Sequence, residues 1–368
     1  MQESERILED LRELVVRESP SDDPERVSQL ASWTCDRLNR DGAARARLEP
    51  CPPRGHAVVA TIRSEGQGHP RTLLLGHIDT VWPVGTLQDI PFSSDGEFVR
   101  GPGVFDMKAG VAVGIHVLER LRLMSLAPWV TLLLVPDEEV GSHASKSLLL
   151  DLAMKHDRVL VLEPSAQGGA AKVARKGTGI FRLRFSGISS HAGLDPEKGA
   201  SALSALAEFV LATPGFEHKE LGTTVTATIA SAGTKTNVVP DNAEVTVDCR
   251  VWTSAEPERI ERELRAWRAS DPRVTVEVTG AFDRPPLTET EASRALFETA
   301  RSIASDLGFE LRGERVGGAS DGNFTAAAGV PTLDGLGPMG DGAHARHEHV
   351  VIADLVRRVD LIERLILA

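Results

Sequence analysis

Tyrosine is absent from this 368-residue chain, so no phenol can act here as general acid or oxyanion donor. Cysteine is scarce: Cys35, Cys51 and Cys249 are odd in number, far apart and without a C-x-x-C pair. That excludes a disulfide framework and a thiolate zinc site. Cys249 lies in a strand-like stretch with no motif around it, which argues against a thiol enzyme. No apolar run is long enough to span a bilayer, and the charged, helix-periodic opening MQESERILEDLRELV is not a signal peptide. A reducing, cytoplasmic location is the expectation, with no membrane partner. Positive charge is also short. Lys plus Arg is 41 against 53 Asp plus Glu, a net charge of −12, which argues against a nucleic-acid partner. An anionic substrate would need a local cluster of Arg or Lys.

What is present is 41% hydrophobic and 26% charged, the balance of a globular protein, and 368 residues exceed what one compact core normally holds. Helical periodicity covers 5–16 and 24–38. Short strands follow at 45–48, 56–62 and 72–76, then a helix over 110–121, an apolar strand at 130–135, a helix at 144–154 and an apolar strand at 158–162. Apolar strands alternating with helices predict an α/β layer fold with a sheet buried on both faces. From Gly179 the texture changes: Phe181, Leu183 and Phe185 alternate with Arg182, Arg184 and Ser186, a half-exposed strand. The order over 176–283 reads β-α-β-β-α-β, a ferredoxin-like α+β unit. After Pro285-Pro286 the first texture returns, with a helix at 291–307, an irregular Gly-rich stretch at 313–323, a strand at 332–336 and a terminal helix at 352–367. The expected organisation is a catalytic domain built from 1–175 and 284–368, with 176–283 inserted.

The stretch 73–110 organises the rest. Leu73-Leu74-Leu75 runs into His77 and Asp79, which share a face of an extended chain. A carboxylate beside an imidazole holds one ring nitrogen and frees the other for a metal; as a purely structural pair they would be a hydrogen bond at a strand end. Asp106 follows a turn bracketed by Gly101 and Gly103 and precedes a helix, where its structural role would be an N-cap. Asp137, Glu138 and Glu139 end one apolar strand and Glu163 ends the next; ligand sites in such sheets lie beyond the carboxyl ends of the strands. Without a cation the three acids would be a solvated turn. His344 sits in a Gly-rich loop before Glu348. Imidazoles and carboxylates together suit Zn²⁺, Co²⁺ or Mn²⁺.

The motifs GHIDTV at 76–81, GPGVFDMKAG at 101–110, PDEEVGS at 136–142, LEP at 162–164, SSHAG at 189–193, NVVPDNAE at 237–244 and GAHARHE at 342–348 together resemble one family over nearly the whole chain. It is the co-catalytic zinc metallopeptidase family of carboxypeptidase G-type glutamate carboxypeptidases, acetylornithine deacetylase and succinyl-diaminopimelate desuccinylase. GGASDGN at 317–323 is most similar to the carboxypeptidase G branch. The resemblance implies two divalent metals, zinc first, held by His77 and Glu163 on one side and Glu139 and His344 on the other, with Asp106 bridging. It gives Glu138 the role of general base and acid and Asp79 that of orienting His77. Two such metals can activate a water and stabilise the oxygens of the attacked carbonyl. His347 and His349 remain alternatives to His344. The resemblance further implies a homodimer through the inserted domain, with His191 reaching the other subunit's site to hold the oxyanion, and Asn237 and Arg250 contacting substrate from a lid.

The reaction so implied is hydrolysis of an amide, by a carboxypeptidase releasing an amino acid such as glutamate or by an N-acyl-amino-acid deacylase. A non-catalytic binding protein on the same scaffold would be expected to lack Glu138 or a ligand, and all are present. Lys172, Arg175, Lys176, Arg250 and Arg284 are the candidates to bind a substrate carboxylate.

Overall fold

The computed structural model describes residues 3–40, 44–63, 68–124 and 127–368. The chain divides into two compact units. The first comprises Met1–Ala174, Glu289–Val316 and Ser320–Ala368; the second comprises Arg175–Thr288 with Gly317–Ala319.

The first unit is built on a six-stranded mixed sheet. Its order is Arg45–Pro50, His56–Ile62, Val130–Val135, Thr72–His77, Arg158–Val161 and Thr332–Leu333. The first two pairings are antiparallel and the remaining three parallel. The middle strands are buried along their whole length, and alternation sends neighbouring side chains to opposite cores. Leu74, Leu132, Leu134 and Leu160 face one core with helices Glu3–Val16, Ala109–Arg122 and Ile352–Leu367. Leu73, Leu75, Leu133, Val135 and Val161 face the other with helix Lys146–Ala153. Each such Leu leaves water completely, worth about 1.5–3 kcal/mol apiece. Continuous apolar runs in the sequence therefore become a sheet covered on both faces.

Two local departures from the sequence reading have identifiable causes. The helix expected from 144 begins at Lys146 because Asp137 holds the turn before it, accepting from Ala144 N at 2.8 Å and Ser145 Oγ at 2.5 Å. The 313–323 stretch, expected to be irregular, holds strand Gly313–Val316 and the start of helix Gly322–Ala327. There Ser320 Oγ accepts from Gly322 N at 3.1 Å and donates to Asp334. Backbone pairing at 332 is shorter than expected, only Thr332–Leu333.

The second unit is a four-stranded antiparallel sheet in the order Thr224–Ala232, Asn242–Val251, Gly177–Ser186, Thr275–Arg284. Phe181, Leu183 and Phe185 turn to a core shared with helices Ala202–Ala212 and Glu256–Ala266. Arg182 and Arg184 stand on the opposite face, each paired to Glu244. The two edge strands are Thr224–Ala232 and Thr275–Arg284. Among the described residues no helix is long and apolar enough to cross a membrane.

Candidate metal centre

Three adjacent parallel strands of the first unit deliver the acids and the first histidine. Val130–Val135, Thr72–His77 and Arg158–Val161 lie side by side, with His77 in register with Val135 and Leu75 with Val161. The residues just past their ends, Glu138, Glu139, Asp79 and Glu163, therefore meet at one edge of the sheet. Asp106 arrives from the helix side. Its turn passes so close to Thr80 that a Cβ on Gly103 would lie 2.6 Å from Thr80 Cγ2, and Gly103 has φ +71°. A Cβ on Gly110 would lie 2.0 Å from Leu162 O. Glycine thus lets the helix start approach the strand that ends at Glu163. Asp106 does not cap that helix: Lys108 holds the N-cap position of Ala109–Arg122 and no side chain caps it, while the Asp106 carboxylate faces the histidines.

The two oxygens of Asp106 face different imidazoles. Oδ1 is 3.2 Å from His77 Nε2, and Oδ2 is 3.3 Å from His344 Nε2. His77 Nε2 is also 3.5 Å from Glu163 Oε1, and His344 Nε2 is 3.2 Å from Glu139. Zinc binds nitrogen and oxygen at about 2.0–2.1 Å, which makes a tetrahedral edge about 3.3 Å. All four separations match that edge. A single Nε2 facing two carboxylates has one direction of bonding and two anions to satisfy, the arrangement a divalent cation resolves. His77, Asp106 and Glu139 gather their donor atoms within 4.8 Å of one another, as do His77, Glu138 and Glu163. Glu138 thus sits beside the donors, 8% exposed. His344 holds its place with φ +61°; His349 instead turns its ring edge-on to Phe98 at 4.9 Å.

The electrostatics carry the same signature. Burial would push the His77 imidazole down, yet Asp106, Asp79 and Glu163 hold it well above the usual range. Asp106 and Glu139 push His344 up to about 10. Burial would raise Asp106, but His344 and His77 hold it well below the usual carboxylate range, while burial raises Glu139. Without a cation the cluster retains protons on its imidazoles to balance its carboxylates.

Asp79 does more than the sequence suggested. His77 Nδ1 lies 3.5 Å from its Oδ1 and 3.0 Å from its backbone oxygen. Its carboxylate also accepts from Glu138 N at 3.1 Å, Glu139 N at 3.2 Å and Ser21 Oγ at 2.6 Å. Ser21 carried no signal in the sequence, and Glu348 entered it only as the acid that follows His344; the hydrogen-bond partners of both lie far off in the chain. Lys108 belongs with them. It is fully buried, donates to Leu14 O at 2.9 Å and Arg17 O at 3.0 Å, and burial lowers its ammonium to about 7.

The other candidates lie in the second unit. His191 pairs with Val238 and the Ala192 N–H donates to Asn237 O at 2.9 Å, so His191 and Asn237 are neighbours. His191 Nδ1 accepts from Gly193 N and Leu194 N, each at 3.1 Å. An Nδ1 that accepts leaves the proton on Nε2. Arg250 is held by Asp248 through two bonds of 2.7 and 2.8 Å. Lys172 is in the first unit, and the Arg175 guanidinium donates to Gly318 O and Ala319 O. Lys176 and Arg250 are near each other: burial, then the Arg250 charge, lowers the Lys176 ammonium.

Residues 73–368 match Peptidase family M20/M25/M40. The chain is 32% identical over 320 residues to carboxypeptidase G2 of Pseudomonas sp., covering 85% of this chain and 77% of that one. It is 30% identical over 338 residues to succinyl-diaminopimelate desuccinylase of Methylococcus capsulatus, covering 82% and 84%. Its fold superposes on the aminopeptidase PepT of Bacillus cereus with a TM-score of 0.84 at 21% identity, over 99% of this chain and 98% of that one. With the gathered imidazoles and carboxylates of the first unit, these matches place the chain in peptidase family M20/M25/M40, a family of metal-dependent hydrolases.

Proposed function

We propose that this enzyme is a carboxypeptidase that hydrolyses an amide bond and releases a C-terminal amino acid such as glutamate. Asp106 carries the reading, because its two oxygens face His77 and His344 separately. His77 and Glu163 would hold one divalent ion, Glu139 and His344 a second, and Asp106 both. Zinc suits this set, and cobalt and manganese share its ligands. When bound, such ions supply Lewis acidity to the substrate carbonyl and lower the pKa of water.

The remaining work falls to the chain itself. Glu138 takes the proton of the attacking water and returns it to the departing nitrogen. Asp79 keeps Glu138 and Glu139 at fixed positions through their backbone N–H groups. His191 of a second copy of the chain donates its Nε2 proton to the oxyanion; the Nδ1 bonds to Gly193 and Leu194 support that tautomer. Asn237, beside His191, and Arg250 contact the substrate. Lys176 and Arg250 together supply positive charge for a carboxylate, and the likeness to carboxypeptidase G2 favours an acidic leaving residue.

A second reading is an N-acyl-amino-acid deacylase, favoured by the 30% identity to succinyl-diaminopimelate desuccinylase. Both reactions break an amide and differ in which side of it is selected. The deciding experiment is metal analysis of the purified protein followed by kcat/KM on N-acyl glutamate, on its α-amide and on N-acyl diamino acids. A carboxypeptidase should lose about a hundredfold or more on the amide, because cations placed for a carboxylate then face a neutral group. Equal kcat/KM on the acid and the amide would refute carboxylate recognition.

A further inference from the structure

Glu348 is 1% exposed, and its carboxylate accepts four hydrogen bonds. Oε1 receives Phe105 N at 2.8 Å and Asp106 N at 3.0 Å; Oε2 receives Gly103 N at 2.9 Å and Trp82 Nε1 at 2.9 Å. Three of these donors are backbone groups of the turn that carries Asp106. They form a small anion-binding concavity, filled by a side chain more than 240 residues away in sequence. Glu348 also lies four residues after His344. The strand that follows it, His349–Val351, pairs with Phe98–Arg100, the strand leading into the same turn. One carboxylate thus fastens three loops of the first unit: the 103–106 turn, the loop at Trp82 that follows Asp79, and the His344 loop.

We propose that Glu348 is a positioning residue for the metal centre. It sets the aim of the Asp106 carboxylate by fixing the backbone N–H of Asp106, and couples that aim to the placement of His344. The inference rests on the reading of His77, Asp106 and His344 as ligands, and it goes beyond it, because both Glu348 oxygens are engaged by the chain's own donors. Chemistry favours an acceptor-only group here. All four neighbours are donors, and an ionised carboxylate is the side chain that offers acceptors on both oxygens. In Glu348→Gln one oxygen becomes an NH₂ and must face either the Gly103 and Trp82 donors or the Phe105 and Asp106 donors. The turn has to move to relieve that opposition, and Asp106 moves with it.

The test measures zinc affinity by competition with a chromophoric chelator, with metal-free thermal midpoints recorded in parallel. E348Q is expected to bind zinc about ten- to a hundredfold more weakly, with kcat reduced and KM on the preferred substrate unchanged. If E348Q does not fold, Glu348→Asp decides. It keeps the charge but is one methylene short, and is expected to weaken zinc binding by about three- to tenfold. Asp106→Asn is the reference. If it retains wild-type zinc affinity, the ligand assignment fails. If it loses zinc while folded E348Q or E348D binds as wild type, the ligand assignment stands and the role of Glu348 is overturned.

Discussion

Asp79 and Glu138 are joined through the backbone: the Glu138 N–H donates to Asp79 Oδ1 at 3.1 Å across 59 residues of sequence. The carboxylate beside His77 is therefore also the anchor of the turn that presents two further acids. Glu139 N and Ser21 Oγ complete its set of donors at 3.2 and 2.6 Å.

Asp79→Asn should accordingly do more damage than loss of one histidine contact. Whichever way the amide turns, its NH₂ meets a backbone N–H. A fall of about ten- to a hundredfold in kcat or in metal affinity is expected. Ser21→Ala, which leaves the carboxylate intact, should cost less than about tenfold. Steady-state kinetics with metal titration checks both. An Asp79→Asn enzyme with wild-type kcat and metal affinity would show the anchor to be dispensable.

Glu138 and Glu139 are neighbours with different expected roles. Glu138→Ala should keep its bound metal and lose nearly all turnover, while Glu139→Ala should lose metal. Elemental analysis of both purified variants, alongside kcat, separates the two. Near wild-type turnover in Glu138→Ala, or full metal content in Glu139→Ala, would contradict the assignment.

The pH dependence follows from His344, raised to about 10 by Asp106 and Glu139. In the metal-free protein its protonated form contributes stability that is complete below about pH 6.5 and lost as pH rises towards 10. The ring is half-exposed, so solvent screening keeps that contribution small. Lys108, lowered to about 7 by burial, contributes with the opposite sign over the same range, so the His344 part is read as the difference between wild type and His344→Ala. A divalent ion needs the imidazole lone pair and must displace its proton. Metal affinity should therefore rise with pH between about 6 and 9 in wild type, more steeply than in His344→Ala. Equal slopes in chelator-competition titrations would remove His344 from the ligand set.

Catalysis between subunits is the remaining expectation. The small sheet has Thr224–Ala232 and Thr275–Arg284 as edges, and an open edge can pair with a second copy. Mixing inactive His191→Ala with inactive Glu138→Ala under conditions of subunit exchange creates dimers with one intact site. Recovered activity should approach about a quarter of wild type by random pairing in a two-fold dimer. Demonstrated exchange without recovery would place His191 within its own chain or outside the reaction.

Much of this protein was legible in the order of its residues. The runs Leu73–Leu75 and 130–135 announced strands buried on both faces, because such strands need no polar alternation. The change to alternation at Phe181 announced a sheet with one open face. The motifs around His77, Asp106, Glu138 and His344 announced metal chemistry, since imidazoles and carboxylates at strand ends and glycine turns have few other uses in combination. Sequence could not say that Val130–Val135, Thr72–His77 and Arg158–Val161 are adjacent in the sheet. Strand order is set by which faces pack, not by local propensity, and it alone brings Glu138, His77 and Glu163 together. Nor could it give Glu348, Ser21 or Lys108 their roles, because their hydrogen-bond partners lie far off in the chain. A carboxylate in a loop and a lysine after an aspartate look like surface residues until the fold closes over them. Only tertiary structure removes their water, and a buried charge must then be met by the donors and carbonyls that define its role.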